Sequence, residues 1–177
     1  MDLGLIGSGD SKWISFKPSV NAWLVNGEEH TLKQCYLDPD TLKTGWLKIE
    51  AGSAPDAVWD ESLGKVGIRP SDDHRRGLQV MLFLGKELGW HQWQTNSVGA
   101  LRGFSNLWSK IHKELADNDG KVAHIEYLKS DIDTKGKGQT RIPVFALLGW
   151  KNQPPVETAP EPKVEVQTTE DLSDNLF

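Results

Sequence analysis

The chain has 177 residues, 37% of them hydrophobic and 25% charged, enough for one domain of ordinary size with a core of its own. Its 20 basic and 25 acidic residues give a net charge of −5, so the broad basic excess of many nucleic-acid binders is absent and any basic surface has to be local. The lone Cys35 excludes an internal disulfide and a cysteine-built metal cage. With no basic stretch at the N-terminus and no apolar run long enough to span a membrane, the expected location is the cytoplasm.

The charge is unevenly spread. Residues 151–177 hold two bases and six acids, a balance of −4, whereas the first 150 hold 18 and 19, a balance of −1. Tryptophan is over-supplied, with eight at Trp13, Trp23, Trp46, Trp59, Trp90, Trp93, Trp108 and Trp150. So many rings in a chain of this size point to surface platforms as well as core.

Residues 1–10 contain Gly4, Gly7 and Gly9 and read as a mobile arm. Residues 12–17 alternate as a strand, with Ile14 and Phe16 on one face and Trp13, Ser15 and Lys17 on the other. Pro18 breaks the ladder, and residues 20–25 resume it, setting Val20, Ala22 and Leu24 against Asn21 and Trp23. Asn26-Gly27 predicts a two-residue hairpin turn. Residues 31–37 place Cys35 and Leu37 on one face, Gln34 and Tyr36 on the other, and Asp38-Pro39-Asp40 predicts a turn. In residues 43–49, Gly45, Leu47 and Ile49 face one way and Thr44, Trp46 and Lys48 the other.

Each of these four segments thus has a plain aliphatic or small-residue face and a second face with one aromatic: Trp13, Trp23, Tyr36 or Trp46. Lys17 and Lys48 lie on the aromatic faces. Rings and amines on one sheet face offer stacking for bases and charge for phosphates. A helix or a second subunit packed on that face is the competing reading.

Residues 51–74 read as a long loop, a length that is uncommon inside a compact domain. Residues 75–85 form a strand that opens with Arg75 and Arg76 and sets Leu78, Val80, Leu82 and Leu84 on one face; residues 89–95 form another, holding Trp90 and Trp93. Residues 97–118 are the one clear helix. Val98, Leu101, Phe104, Leu107, Trp108, Ile111 and Leu115 make its apolar stripe, Asn96 or Ser97 caps its start, and Asn118-Asp119-Gly120 ends it. Residues 121–132 and 139–150 are two further strands, joined by a glycine-rich tip whose Lys135 and Lys137 suit phosphates. From residue 152 onward Pro154, Pro155, Pro160 and Pro162 stand among Glu, Thr, Val and Lys without periodicity, as in an extended linker. The chain closes on Glu170, Asp171 and Asp174, then Leu176-Phe177, an acidic strip with an apolar tip suited to a basic pocket on a partner.

Catalytic motifs are missing. No phosphate loop, dinucleotide fingerprint or nucleophile elbow is present. His30, His74, His91, His112 and His124 show no ligand spacing, and Glu126 and Lys129 fall on opposite strand faces. A non-enzyme without cofactor or metal is expected.

The predicted fold is mainly β with one α-helix: an elaborated, OB-fold-like antiparallel barrel over residues 1–150, followed by a disordered tail, 151–177. OB-folds also place a helix before their last two strands, and their barrel face binds oligonucleotides. In layout the chain resembles single-stranded DNA-binding proteins, the phage-encoded kind above all. In motif the resemblance covers the last eight or so residues: bacterial members end in an acidic run and then Ile-Pro-Phe, and this chain ends Ser173-Asp174-Asn175-Leu176-Phe177. It implies a protein that coats single strands in replication and recombination, without sequence preference, in the cytoplasm of a host cell if phage-encoded. It also implies recruitment of replication or recombination proteins through the tail, where Asp174 and Phe177 match; Asp171 and Leu176 complete the candidate partner-binding set. The candidates for DNA contact are Trp13, Lys17, Trp23, Tyr36, Trp46, Lys48, Arg75, Arg76, Lys135 and Lys137. The rival is a non-catalytic protein-interaction or virion assembly factor whose aromatic face is a subunit interface; homo-oligomers are compatible with both.

Overall fold

The computed structural model describes residues 12–135 and 138–154. Its elements in chain order are β1 (Trp13–Lys17), β2 (Ala22–Val25), β3 (Glu28–His30), β4 (Gln34–Lys48), β5 (Asp56–Trp59), β6 (Arg75–Phe83), β7 (Trp90–Thr95), α1 (Val98–Glu114), β8 (Val122–Asp133) and β9 (Thr140–Lys151). They form one sheet in the order β3-β2-β1-β7-β6-β4-β8-β9, with β5 added to β4. The sheet curls strongly into a half-barrel, with α1 crossing β9. Five strands in the order β7-β6-β4-β8-β9, one helix before the last two, are consistent with an OB-like fold. The N-terminal strands extend this unit at β7 through the parallel pair β1–β7; every other pair is antiparallel.

The hairpin turn at Asn26-Gly27 forms as its composition dictates, both residues taking positive φ, 53° and 91°. The turn expected at Asp38-Pro39-Asp40 does not reverse the chain. The two segments on either side of it are one strand, the 15-residue β4, bent at a large bulge. The local chemistry of a turn is present: Asp38 Oδ1 accepts from Asp40 N at 3.0 Å, and Thr41 Oγ1 donates to Asp38 O at 2.7 Å. Pairing with β6 nevertheless continues on both sides, Asp38 opposite Met81 and then Lys43 opposite Gln79. Met81 N donates to Thr41 Oγ1 at 2.9 Å across the interruption. Tertiary pairing has turned a local bend into the corner of a half-barrel.

The inner face carries the core. Ile14, Phe16, Leu37, Leu78, Val80 and Leu82 are buried there, as the alternation predicts, and Ile125 of β8 joins them. Trp23 joins them at 2% exposure, against expectation. The β1–β2 register sets Trp23 opposite Phe16, so hairpin pairing puts both rings inward, with centroids 5.1 Å apart. Trp23 also meets Trp93, Tyr127 and Phe145 edge-on.

The helix starts at Ser97, whose side chain accepts from Ala100 N, and buries Ala100, Phe104, Leu107 and Ile111. It lies close on β9 because Gly99 and Gly103 face the strand. A Cβ at either would stand 1.9 Å from Arg141 O or 2.3 Å from Pro143 O.

A smaller cluster sits on the outer face, where Tyr36, Phe83 and Val122 are buried and Trp90 packs against them. After β9 the chain passes this side: Gln153 Nε2 donates to Asp38 Oδ2 at 3.0 Å, and Pro154 is buried.

Candidate nucleic-acid interface

Residues 51–74, expected as an open loop, are a strap tied to the sheet. Its strand β5 pairs with the second half of β4, Trp59 opposite Gly45. Asp60 then anchors the turn that follows. Its carboxylate accepts from Thr44 Oγ1 at 2.6 Å, from Gly67 N at 3.1 Å, and from both terminal nitrogens of Arg76 at 2.9 and 2.5 Å. The side chain is 1% exposed. The two-pronged hydrogen bond from Arg76 holds the Asp60 carboxyl well below the usual carboxylate range, outweighing the upward push of burial. The same contact raises Arg76.

Trp46 sits beside this pair. Its Nε1 donates to Gly67 O at 2.8 Å, and the guanidinium carbons of Arg76 and Arg69 lie 5.1 and 5.4 Å from its ring centroid. Arg69 is fixed by donating to His74 O and Asp72 O. His74 is itself buried between Ser71 Oγ at 2.7 Å and Asp56 Oδ2 at 3.2 Å. Lys43 lies 5.4 Å from the Trp59 ring centroid.

Alongside opens a cleft of ≈ 350 Å³. Leu42, Thr44, Arg76 and Leu78 floor it, Leu63 and Gly64 form one wall, and Leu101, Phe104, Ser105 and Trp108 of the helix form the other. Trp108, expected in the core, is half-buried there and stacks on Phe104 with 16° between the rings. The arrangement can stack a planar group against half-buried indoles and set guanidinium groups beside it.

The expected shared aromatic face does not exist. Tyr36 is opposite Phe83, and Trp46 opposite Arg76. Phe83 and Arg76 are seven positions apart on β6, an odd number, so Tyr36 and Trp46 face opposite sides of the sheet. Tyr36 belongs to the outer cluster at 6% exposure, and burial pushes its hydroxyl pKa up. Trp23 is core. Neither is a platform for bases. Trp13 is half-buried and Lys17 exposed on β1, which lies beyond β7 and β6 from β4.

Trp46 and Arg76 come together, with Lys48 two positions along β4 on the same face, whereas Arg75 stands opposite Leu47 and faces the other side. Lys48 is 3.7 Å from Glu50 and 3.9 Å from Asp73, and Arg75 is exposed. Lys135 lies at the β8–β9 tip, where its backbone N–H donates to Asp133, a carboxylate that also binds Arg102 at 2.8 Å. Lys137, Asp171, Asp174, Leu176 and Phe177 lie outside the described residues. The surroundings of Trp46 are electrically balanced, since residues 43–76 hold six bases and six acids.

Sequence reasoning missed Asp60, Arg69 and the Trp59–Lys43 contact. The signal was a long loop that held a tryptophan, an acid and an arginine, residues an idle linker has no use for.

No family model, curated protein or solved structure matches this chain.

Proposed function

We propose that the protein binds single-stranded DNA without sequence preference, coating exposed strands in replication or recombination, as phage-encoded single-stranded DNA-binding proteins do. One observation carries this reading: a half-buried tryptophan flanked by two ordered arginines, beside a cleft at one end of an OB-like half-barrel. Stacking on rings with cations alongside is how single strands are held irrespective of base identity. The acidic tail, ending Leu176-Phe177, suits recruitment of replication or recombination proteins. The test is a titration with labelled oligothymidine at low and moderate salt. Binding that weakens with salt, and that Trp46→Ala reduces by about 5- to 150-fold at unchanged fold, is expected for the loss of ~1–3 kcal/mol of stacking. No band shift and unchanged tryptophan fluorescence at low salt would remove the proposal.

The charge balance around Trp46 favours a second reading. Leu63, Val66 and Ile68 of the strap are 48%, 61% and 89% exposed. An apolar, neutral surface of that kind fits a protein partner, as in an interaction or virion assembly factor.

A further inference from the structure

Strand β8 runs on beyond its pairing with β4. The register ends with Gln34 opposite Glu126, and the last bond on that side runs from Tyr127 N to Lys33 O. Residues 128–133 continue as a two-stranded ribbon with β9 alone, and among the described residues no backbone hydrogen bond reaches them from the other side. This open edge is longer than the whole of β3 or β5, which have three and four residues. It also carries two exposed large apolar side chains, Leu128 at 52% and Ile132 at 48%.

Hydrogen-bond parity shows which backbone groups are free there. Arg141 O and Pro143 O lie against Gly99 and Gly103 of the helix, and Phe145 O accepts from Lys110 Nζ at 3.5 Å. Odd-numbered residues in this part of β9 therefore point away from β8, which is also where a proline without an N–H is tolerated. Ile142 and Val144 point toward β8, where they stand opposite Asp131 and Lys129. Ser130 and Ile132 are left with N–H and C=O directed outward. The bulge between Tyr127 and Lys129 ends the edge on one side.

We propose that this edge pairs with the same edge of a second copy, antiparallel about a two-fold axis through Ser130. The side chains select that register. Centred on Ser130, the pairing sets Lys129 opposite Asp131 of the second copy and Leu128 opposite its Ile132, and symmetry makes each pair twice. A centre one residue earlier puts Lys129 against Lys129, and one residue later Asp131 against Asp131, where like charges repel. Both charges are available on one strand face: Lys129 Nζ lies 3.0 Å from Asp131 Oδ1 within the chain, and both side chains are more than half exposed. Charge on an edge strand usually wards off other strands. Here the second copy matches it. The paired stretch is about five residues a side, short of the ~800 Å² per partner of a standard interface, so the dimer is weak in dilute solution. The inference does not rest on DNA binding.

The test is sedimentation of the full chain, without DNA, between about 1 μM and 1 mM. A monomer–dimer equilibrium is expected. Lys129→Asp alone and Asp131→Lys alone should each weaken it by about tenfold or more, because each turns two attractive pairs repulsive. The double reversal should restore it, since opposite charges again face each other. Ser130→Pro removes an outward N–H and the hydroxyl contact to Tyr127, and should abolish the dimer with the circular dichroism spectrum kept. A monomer throughout the range would overturn the proposal. So would growth beyond a dimer, a dimer that the double reversal fails to restore, or one untouched by the single reversals, as a contact through Leu63, Val66 and Ile68 would be. Oligothymidine affinity is measured separately, so either proposal can fail alone.

Discussion

Two tryptophans on separate strands of one sheet, Trp23 on β2 and Trp46 on β4, show how neighbours decide a ring's role. Trp23 is enclosed by Phe16, Trp93, Tyr127 and Phe145, and its Nε1 has no hydrogen-bond partner. Trp46 is half-buried, donates to Gly67 O, and keeps guanidinium groups within cation–π distance. Both look alike in sequence: an aromatic at an alternating strand position, one residue from an aliphatic. One is part of the core, with a buried polar atom left unsatisfied, and the other is ordered by a polar network.

The largest expected effect separates them by stability. Trp23→Ala should lower unfolding free energy by roughly 3–5 kcal/mol, and Trp46→Ala by about 1 kcal/mol, in denaturant titrations. Equal losses would erase the distinction. Of intermediate size is the anchor of the open region. Asp60→Ala should cost roughly 1–3 kcal/mol by leaving Arg76, Thr44 and Gly67 N without their acceptor, and should speed protease cleavage between residues 61 and 72. Acid should do the same to the unaltered protein. The folded pKa of Asp60 is lowered, so its stabilisation is complete above the unfolded value of about 4 and is lost as pH falls toward the folded one. Cleavage at low pH confined to other loops would contradict this. The smallest effect belongs to the sealed region. His91 is 1% exposed, its Nε2 has no partner, and burial lowers its pKa. The unfolded chain therefore takes up a proton more readily, and stability is complete above about pH 6.5 and declines below it. Thermal midpoints between pH 7.5 and 5.5 should show that decline, and His91→Gln should reduce it.

Much of this architecture was legible. Ile14 with Phe16, and Leu78 with Val80 and Leu82, read as inward faces from alternation alone. The helix and its Ser97 cap read from spacing, and the Asn26-Gly27 turn from backbone preference. Three things were not legible, each because pairing partners decide them. Hairpin register turned Trp23 inward. An odd insertion at the Asp38 bulge reversed the face of Trp46 relative to Tyr36. The strap at residues 51–74 gained its order from Asp60 meeting Arg76, 16 positions away. Of the candidate site, Trp46, Lys48 and Arg76 were found, and Asp60, the acid that holds Arg76, was not.

The bent strand β4 also shapes how the protein is born. Both halves find β6 within about 50 residues and the second also finds β5, while the far edge of the first half waits for β8, with Gln34 opposite Glu126. At a synthesis rate of ~5–20 residues per second, that edge stays unpaired on the ribosome for roughly 5–20 s. Cys35, Tyr36 and Leu37 lie along it, so nascent chains truncated before β8 should be the aggregation-prone species of this protein, and slowing translation within α1 should lower its soluble yield.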